Sequence, residues 1–357
     1  YRPQRTSAED LEAIFVAREP LLQGMLDRLA SWAPGGSRQH YLLVGPRGIG
    51  KTHLLRLLEH RVSRHLNDKW VVLCLPEEQY RVSSVADLLL AVIQHLVERT
   101  SDVDLSALHQ TLRFDKDNTK VTDLALDGLR RFTSQRQCGL LLMVENVNRL
   151  LETQMRGQQE IHLLRKVLID EEWLTVVCTS PTHLNAVTKP EEPLFEFFQV
   201  HFLEQLSPAE QQQLLTRRAA LDENTAFADY LDRFRSRLRA LYHFSGGNPR
   251  LSLMLYDLVA HQALSEVRLE LDMLLDKLTP FYQDRMKDLA PQEARLLETM
   301  ALLPEGCGPT ELAGEARMTK DQVSSLLTRL ERAGYVQRQS RGRKQTAWIL
   351  PERFFRI

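Results

Sequence analysis

Residues 45–52 read GPRGIGKT: a glycine, four free positions, then Gly-Lys-Thr. That spacing defines a phosphate-binding loop. Gly45, Gly48 and Gly50 let the backbone curl so that successive N–H groups, with Pro46, Arg47 and Ile49 between, face an anion at a helix start. Lys51 would reach the β- and γ-phosphates of a nucleotide, and the Thr52 hydroxyl would ligate Mg²⁺. Such a loop needs a carboxylate on a neighbouring strand to hold the metal's shell. Glu145 is the candidate, because it is the first charged residue after the apolar run LLLMV. The chemistry implied is the binding of ATP or ADP with Mg²⁺, and hydrolysis if a base is present.

The loop can work only between a strand and a helix. YLLV at 41–44 supplies the strand, and HLLRLLEHRV after Thr52 has apolar residues at helical spacing. Further apolar strands are expected at 70–75, 139–144, 174–179 and 199–203, with helical stretches between them. Continuous apolar strands alternating with helices predict a parallel sheet covered on both faces. The polar stretch 101–121 reads in part as an exposed insertion. From Ser207, a Ser-Pro helix start, the pattern turns helical and no strand returns before Tyr335. The tail then offers helices in PQEARLLETMAL, GPTELAGEA and TKDQVSSLLTRLERAGYV, followed by two strands around a turn at Arg341, Gly342 and Arg343. Helices closed by a hairpin predict a winged helix. The expected class is α/β: a P-loop sheet domain over 1–206, a helical lid domain over 207–280 and a winged-helix domain over 281–357.

With 357 residues, the chain is too long for one ordinary core. Its net charge of −1 creates no global field for nucleic acid, so any such binding must come from a local patch. Cys74, Cys138, Cys178 and Cys307 form no C-x-x-C pair and suggest reduced thiols in a cytoplasmic protein. The sequence opens at Tyr1 without a signal-peptide pattern, and no apolar run approaches the roughly 18 residues of a membrane span.

The phosphate loop, LLLMVEN, TVVCTS and the later SGGNPR occur in the order found in AAA+ and STAND ATPases. The chain resembles in particular the archaeal origin-recognition ATPases, which also end in a winged helix. IFVAREPLLQGMLDRL resembles the segment that precedes their phosphate loop. The resemblance implies that Thr179 or Ser180 is a first sensor near the γ-phosphate. It implies that Arg250 is a second sensor reaching back from the lid, and that Val16, Arg18 and Glu19 line the adenine side. Physically, Gly246 and Gly247 permit a tight turn and Pro249 favours a helix start, so Arg250 projects from a first helical turn. The sequence departs from the family twice. Asn146 stands where a second acid usually polarises water, and amide nitrogen and oxygen cannot take its proton. Between Leu174 and Gln199 the only basic residue is Lys189, where the family supplies an arginine finger. Slow hydrolysis follows as an expectation.

In the winged helix, Lys320, Gln322, Ser324 and Ser325 open the helix at the recognition position. Arg338, Arg341, Arg343, Lys344, Arg353 and Arg356 crowd the wing and tail against the single acid Glu352. This basic cluster has the form of a phosphate footprint on duplex DNA. Asp321, Glu331 and Glu315 dilute it, and winged helices also dock proteins. Two readings therefore stand: an ATP-switched DNA-binding protein, and a STAND-like signalling or scaffold ATPase that docks a protein partner or assembles with itself. A stand-alone metabolic kinase would leave the winged helix without a purpose.

Overall fold

The computed structural model describes residues 6–33, 36, 38–75, 82–155, 157–181, 187, 192–224, 239, 242, 244–260, 279–280, 282–287, 289–303, 306–341 and 345–350. Within these, the side chains of 258–260, 339–341 and 345–346 are outside the description.

Two helices, α1 (Ala8–Ala13) and α2 (Glu19–Ala30), precede β1 (Tyr41–Val44) and α3 (Lys51–His65). Then come β2 (Trp70–Leu75), α4 (Val85–Thr100), α5 (Val103–Leu112), α6 (Asn118–Arg136) and β3 (Gly139–Val144). A short helix α7 (Val147–Arg149) runs into a π-turn over Leu150–Gln154, and α8 (Gln158–Asp170), β4 (Leu174–Ser180) and β5 (Gln199–Phe202) follow. The strands form one parallel sheet in the order β2-β3-β4-β1-β5. Every residue of β3 is buried because helices cover both faces. Leu140, Leu142 and Val144 point into one core with α4, α6 and α8, while Leu141 and Met143 point into the other with α1 to α3.

The stretch 101–121 is largely exposed, yet part of it is a packed helix. Asp102 accepts from the Leu105 N–H and starts α5, whose Leu105 and Leu112 are buried. Leu108 lies so close to Gly128 of α6 that a Cβ there would stand 2.3 Å from its Cδ2. Only three well-spaced leucines carry this packing, too few for a periodic signal in a polar run.

Beyond the sheet, α9 (Pro208–Leu221) opens with a reciprocal capping box between Ser207 and Glu210, and α10 (Pro249–Ala260) packs against it. The tail holds α11 (Pro291–Leu302), α12 (Pro309–Ala316), α13 (Lys320–Arg332) and the antiparallel pair β6 (Gln337–Arg341) and β7 (Gln345–Ile349). Leu296, Leu312, Val323, Leu327 and Trp348 fill its own core. Trp348 also donates its N–H to the Cys307 carbonyl at 3.1 Å, which adds a third short strand-like contact to the hairpin. Among the described residues, no helix is long and apolar enough to cross a membrane.

Candidate nucleotide-binding site

β1 ends at Val44, and the loop turns into α3 through two glycines with positive φ, Gly48 at 82° and Gly50 at 104°. Only glycine adopts such angles without strain. At Gly50 space is also short, since a Cβ would lie 2.5 Å from Nη1 of Arg18. Lys51 is 8% exposed, and its Nζ donates to the carbonyls of Gly45 at 2.5 Å and Pro46 at 3.2 Å. The ammonium is therefore held against the loop's own backbone. Ile49 is fully buried and anchors the loop to the core.

Sheet order brings the remaining candidates to the same end. Thr52 Oγ1 donates to Glu145 Oε2 at 2.9 Å, across 93 residues of sequence. A hydroxyl and a carboxylate that close form a hard-oxygen donor set suited to Mg²⁺. Leu43 is in register with Thr179 and Val44 with Ser180, and the Gly45 N–H donates to the Ser180 carbonyl at 3.2 Å. Asn146, at φ 50°, donates its backbone N–H to Thr179 Oγ1 at 3.0 Å. Glu145, Asn146 and Thr179 thus form one connected group. Ser180 is fully buried behind it.

The turn that opens α10 meets the backbone of the loop. The Arg250 N–H donates to the Gly48 carbonyl at 3.2 Å, while its side chain is exposed. Asn248 is fully buried, and its Nδ2 donates to the Arg47 carbonyl at 3.2 Å. Sequence reasoning passed over Asn248, although it stands inside the GGNPR run already singled out. Leu206 donates to the Gly247 carbonyl, and a Cβ on Gly247 would fall 2.2 Å from the Leu206 carbonyl oxygen. Only glycine permits that crossing.

Arg18 lies along the same wall and donates from Nη2 to the Glu204 carbonyl at 3.1 Å. Burial lowers its pKa to about 10, with nearby Glu210 opposing the shift. Val16 packs against Leu206, Leu214 and Leu253. Glu19 turns the other way, to Arg61 of α3, which also bonds Glu12.

The tail touches the loop as well. Arg47 Nη1 donates to Asp284 Oδ2 at 2.6 Å, an ion pair that no sequence pattern announces. Gly334, just beyond α13, packs so closely on Pro46 that a Cβ would lie 3.0 Å from its ring. On the outer side of α13, Lys320, Gln322, Ser324 and Ser325 are all exposed. Gln322 accepts from the Thr319 N–H as the helix cap, and Ser324 donates to the Lys320 carbonyl. Arg338 lies over the Trp348 ring at 4.8 Å and pairs with Glu331 at 3.2 Å. Arg341 belongs to β6 without a described side chain, and Lys189, Arg343, Lys344, Glu352, Arg353 and Arg356 lie outside the described residues.

Comparison with known proteins agrees with this geometry. Residues 14–157 match the AAA ATPase domain family, and residues 287–345 match the MarR family. The fold is similar to a Walker-type ATPase of Pyrococcus abyssi, with 12% identity over 96% of this chain and 95% of that one, at a TM-score of 0.60. It is also similar to the Aeropyrum pernix ORC2 protein in its ADPNP–ADP complexes, with 16% identity over 99% and 92% of the two chains and a TM-score of 0.57. The ADP form of that protein gives 15% identity, the same coverage and a TM-score of 0.51. At these identities the likeness is one of fold. No curated protein matches the sequence. The chain carries an AAA ATPase domain and a MarR-type winged helix.

Proposed function

We propose that this chain is a slowly hydrolysing ATP switch whose nucleotide state sets the affinity of its winged helix for duplex DNA. The observation that carries the reading is the phosphate loop's double attachment. Asn248 and Arg250 hold it from the lid side, and Asp284 and Gly334 hold it from the tail. A cleft lined by Pro46, Glu204, Glu210, Glu331 and Leu350 runs between these parts. Any change in the loop on nucleotide binding is felt by both. The domain division at 206/207 and 280/281 belongs to the same reading.

In this reading Gly45 to Thr52 hold the phosphates, with Lys51 leaving its carbonyl contacts for them, and Arg18 flanks the nucleoside. Thr52 and Glu145 would hold Mg²⁺, which would supply charge neutralisation at the phosphates. Thr179 fixes the backbone of Asn146 and stands ready to sense the γ-phosphate, with Ser180 behind it. Asn146 can orient a water but cannot take its proton, which leaves Glu145 as the sole carboxylate of the group and turnover slow. Arg250, exposed at the first turn of α10, reaches the γ-phosphate as the lid closes. Lys320, Gln322, Ser324, Ser325, Arg338, Arg341, Arg343 and Lys344 form the duplex-facing surface.

The test is duplex affinity at fixed salt with ATP, ADP and no nucleotide, for the parent and Arg250→Ala. A ligand shifts an equilibrium only by its differential affinity for the two states. ATP should therefore change duplex affinity in the parent, and Arg250→Ala should bind ATP yet lose that change. Equal affinities in all three states of the parent would sink the switch.

The second reading, a STAND-like scaffold that docks a protein partner, draws support from the bonds that already occupy Gln322, Ser324 and Arg338. It requires duplex binding with little dependence on salt, or none at all.

A further inference from the structure

Two neighbouring residues of the phosphate loop are gripped from the tail. Arg47 Nη1 donates to Asp284 Oδ2 at 2.6 Å, and Gly334, at φ 75° where α13 ends, packs on the Pro46 ring. The two gripping residues are mounted on one another. Arg285 follows Asp284 and Tyr335 follows Gly334, and both are buried. The Tyr335 hydroxyl donates to the Arg285 carbonyl at 3.2 Å, and the Arg285 guanidinium lies 4.6 Å from the centre of the Tyr335 ring. Met286 packs on the same winged-helix core that contains Tyr335. Asp284 and Gly334 are therefore one jaw, carried by the winged helix.

The jaw closes where phosphate binding must remodel the loop. Lys51 donates to the carbonyls of Gly45 and Pro46, and Pro46 is the residue under Gly334. To reach a phosphate the ammonium has to leave both. A phosphate in the loop also offers the Arg47 guanidinium a second anion, and its planar fork suits phosphate as well as carboxylate. The Asp284 carboxylate would then stand as a like charge beside the phosphates, an unfavourable pairing. Elsewhere the tail's helices and strands pack mainly on each other, and a cleft lined by Pro46, Glu331, Gly334 and Leu350 runs beside the grip. A single ion pair therefore weighs heavily in holding the winged helix on the loop.

We propose that Arg47 and Asp284 form a latch: the Asp284 carboxylate competes with nucleotide phosphate for the Arg47 guanidinium, and the winged helix leaves the loop when Arg47 changes partners. The latch rests on the nucleotide site proposed above. Its sign is distinctive. Asp284 opposes nucleotide binding, so removing its charge tightens binding, whereas removing a residue that merely props the loop would weaken it.

The experiment measures ATP–Mg²⁺ affinity by titration calorimetry and the radius of gyration by small-angle scattering, with and without ATP. The proteins are the full chain, Asp284→Asn, Asp284→Ser and Asp284→Glu. Both neutral variants should bind ATP about fivefold more tightly than the parent, the scale of one partly exposed ion pair. Without nucleotide they should already be more expanded than the parent, and the parent should expand when ATP is added. Asp284→Glu keeps the carboxylate and should follow the parent. Unchanged or weaker ATP binding in both neutral variants overturns the latch and leaves the nucleotide site standing. So does a tightening in Asp284→Glu as large as that in Asp284→Asn, or a parent of the same dimensions with and without ATP. A parent that binds no ATP overturns the site itself and the latch with it.

Discussion

The phosphate loop and the outer face of α13 are both candidate binding surfaces, yet they are built in opposite ways. The loop is largely buried, held by glycines at positive φ, tied to β4 and the start of α10 through its backbone groups, and joined to the tail by the Arg47–Asp284 ion pair. The α13 face is exposed, and two of its polar side chains bond to their own helix. The loop's backbone is set before a ligand arrives and Lys51 lies buried within it, with only its ammonium to swing from two carbonyls to the phosphates, so removing one of these groups should cost much. The helix face acts through solvated charges, each of which contributes little. Preorganisation and exposure thus set the size of the effect expected at each surface.

The largest effect should follow Lys51→Ala. Lys51 would make charge-assisted contacts to two phosphates, each worth about 1.5–3 kcal/mol. ATP affinity should fall roughly a thousandfold by titration calorimetry. If the variant binds as the parent does, the contrast collapses at its stronger end.

Acid should next separate the two regions. His40 accepts from the Val176 N–H through Nδ1 and faces the Leu168 carbonyl with Nε2, and burial pushes its pKa down to about 4. His53 is likewise lowered to about 4 by burial. Both must be neutral in the fold. Their stabilisation is complete above the ordinary histidine value of 6.5 and is lost as pH falls from there towards 4. For His40 this is about 3 kcal/mol. Residues 281–357 contain no histidine. Hydrogen exchange on the full chain between pH 7 and 4 should therefore show the sheet region loosening before the winged helix; the reverse order would contradict the argument.

A smaller effect is expected from Asn146→Glu. Restoring a proton acceptor beside Glu145 should raise ATP turnover by about tenfold, at the low edge of general-base effects because the water-positioning geometry was shaped around an amide. Phosphate release under saturating ATP measures it, and an unchanged or lower rate would place the limit elsewhere.

The smallest effect belongs to the exposed face. Lys320→Ala should weaken duplex binding a few-fold at fixed salt and lower the slope of log affinity against log salt by about one. A loss as large as that at Lys51 would mean that the helix face is preorganised after all. An unchanged slope would remove Lys320 from the duplex surface.

Some of this was written in the chain itself. GPRGIGKT fixes a phosphate loop because its glycines and its Lys-Thr pair are one contiguous local unit. The all-apolar β3 announces burial on both faces, and Ser207-Pro208 with Glu210 announces a helix start, since capping is also local. The winged helix is legible for the same reason, in the capped α13 and the paired strands that follow it. Thr179, Ser180 and Arg250 were reached only through resemblance, because the groups they bond, Asn146, Gly45 and Gly48, lie far off in the sequence. Tertiary structure alone decided the rest. It brought Asn248 under Arg47, tied Arg47 to Asp284 and left Gln211 buried without a partner. It also turned Glu19 away to Arg61 and folded part of the polar stretch 101–121, Val103–Leu112, into α5. Local pattern records the hydrogen bonds and apolar spacing that neighbours in sequence share. The Arg47–Asp284 contact, across 237 residues, leaves no such trace, because either side chain alone looks like an ordinary surface residue until the fold sets it beside its partner. Thr52 and Glu145, 93 residues apart, could be paired beforehand only because a phosphate loop demands a carboxylate on a neighbouring strand.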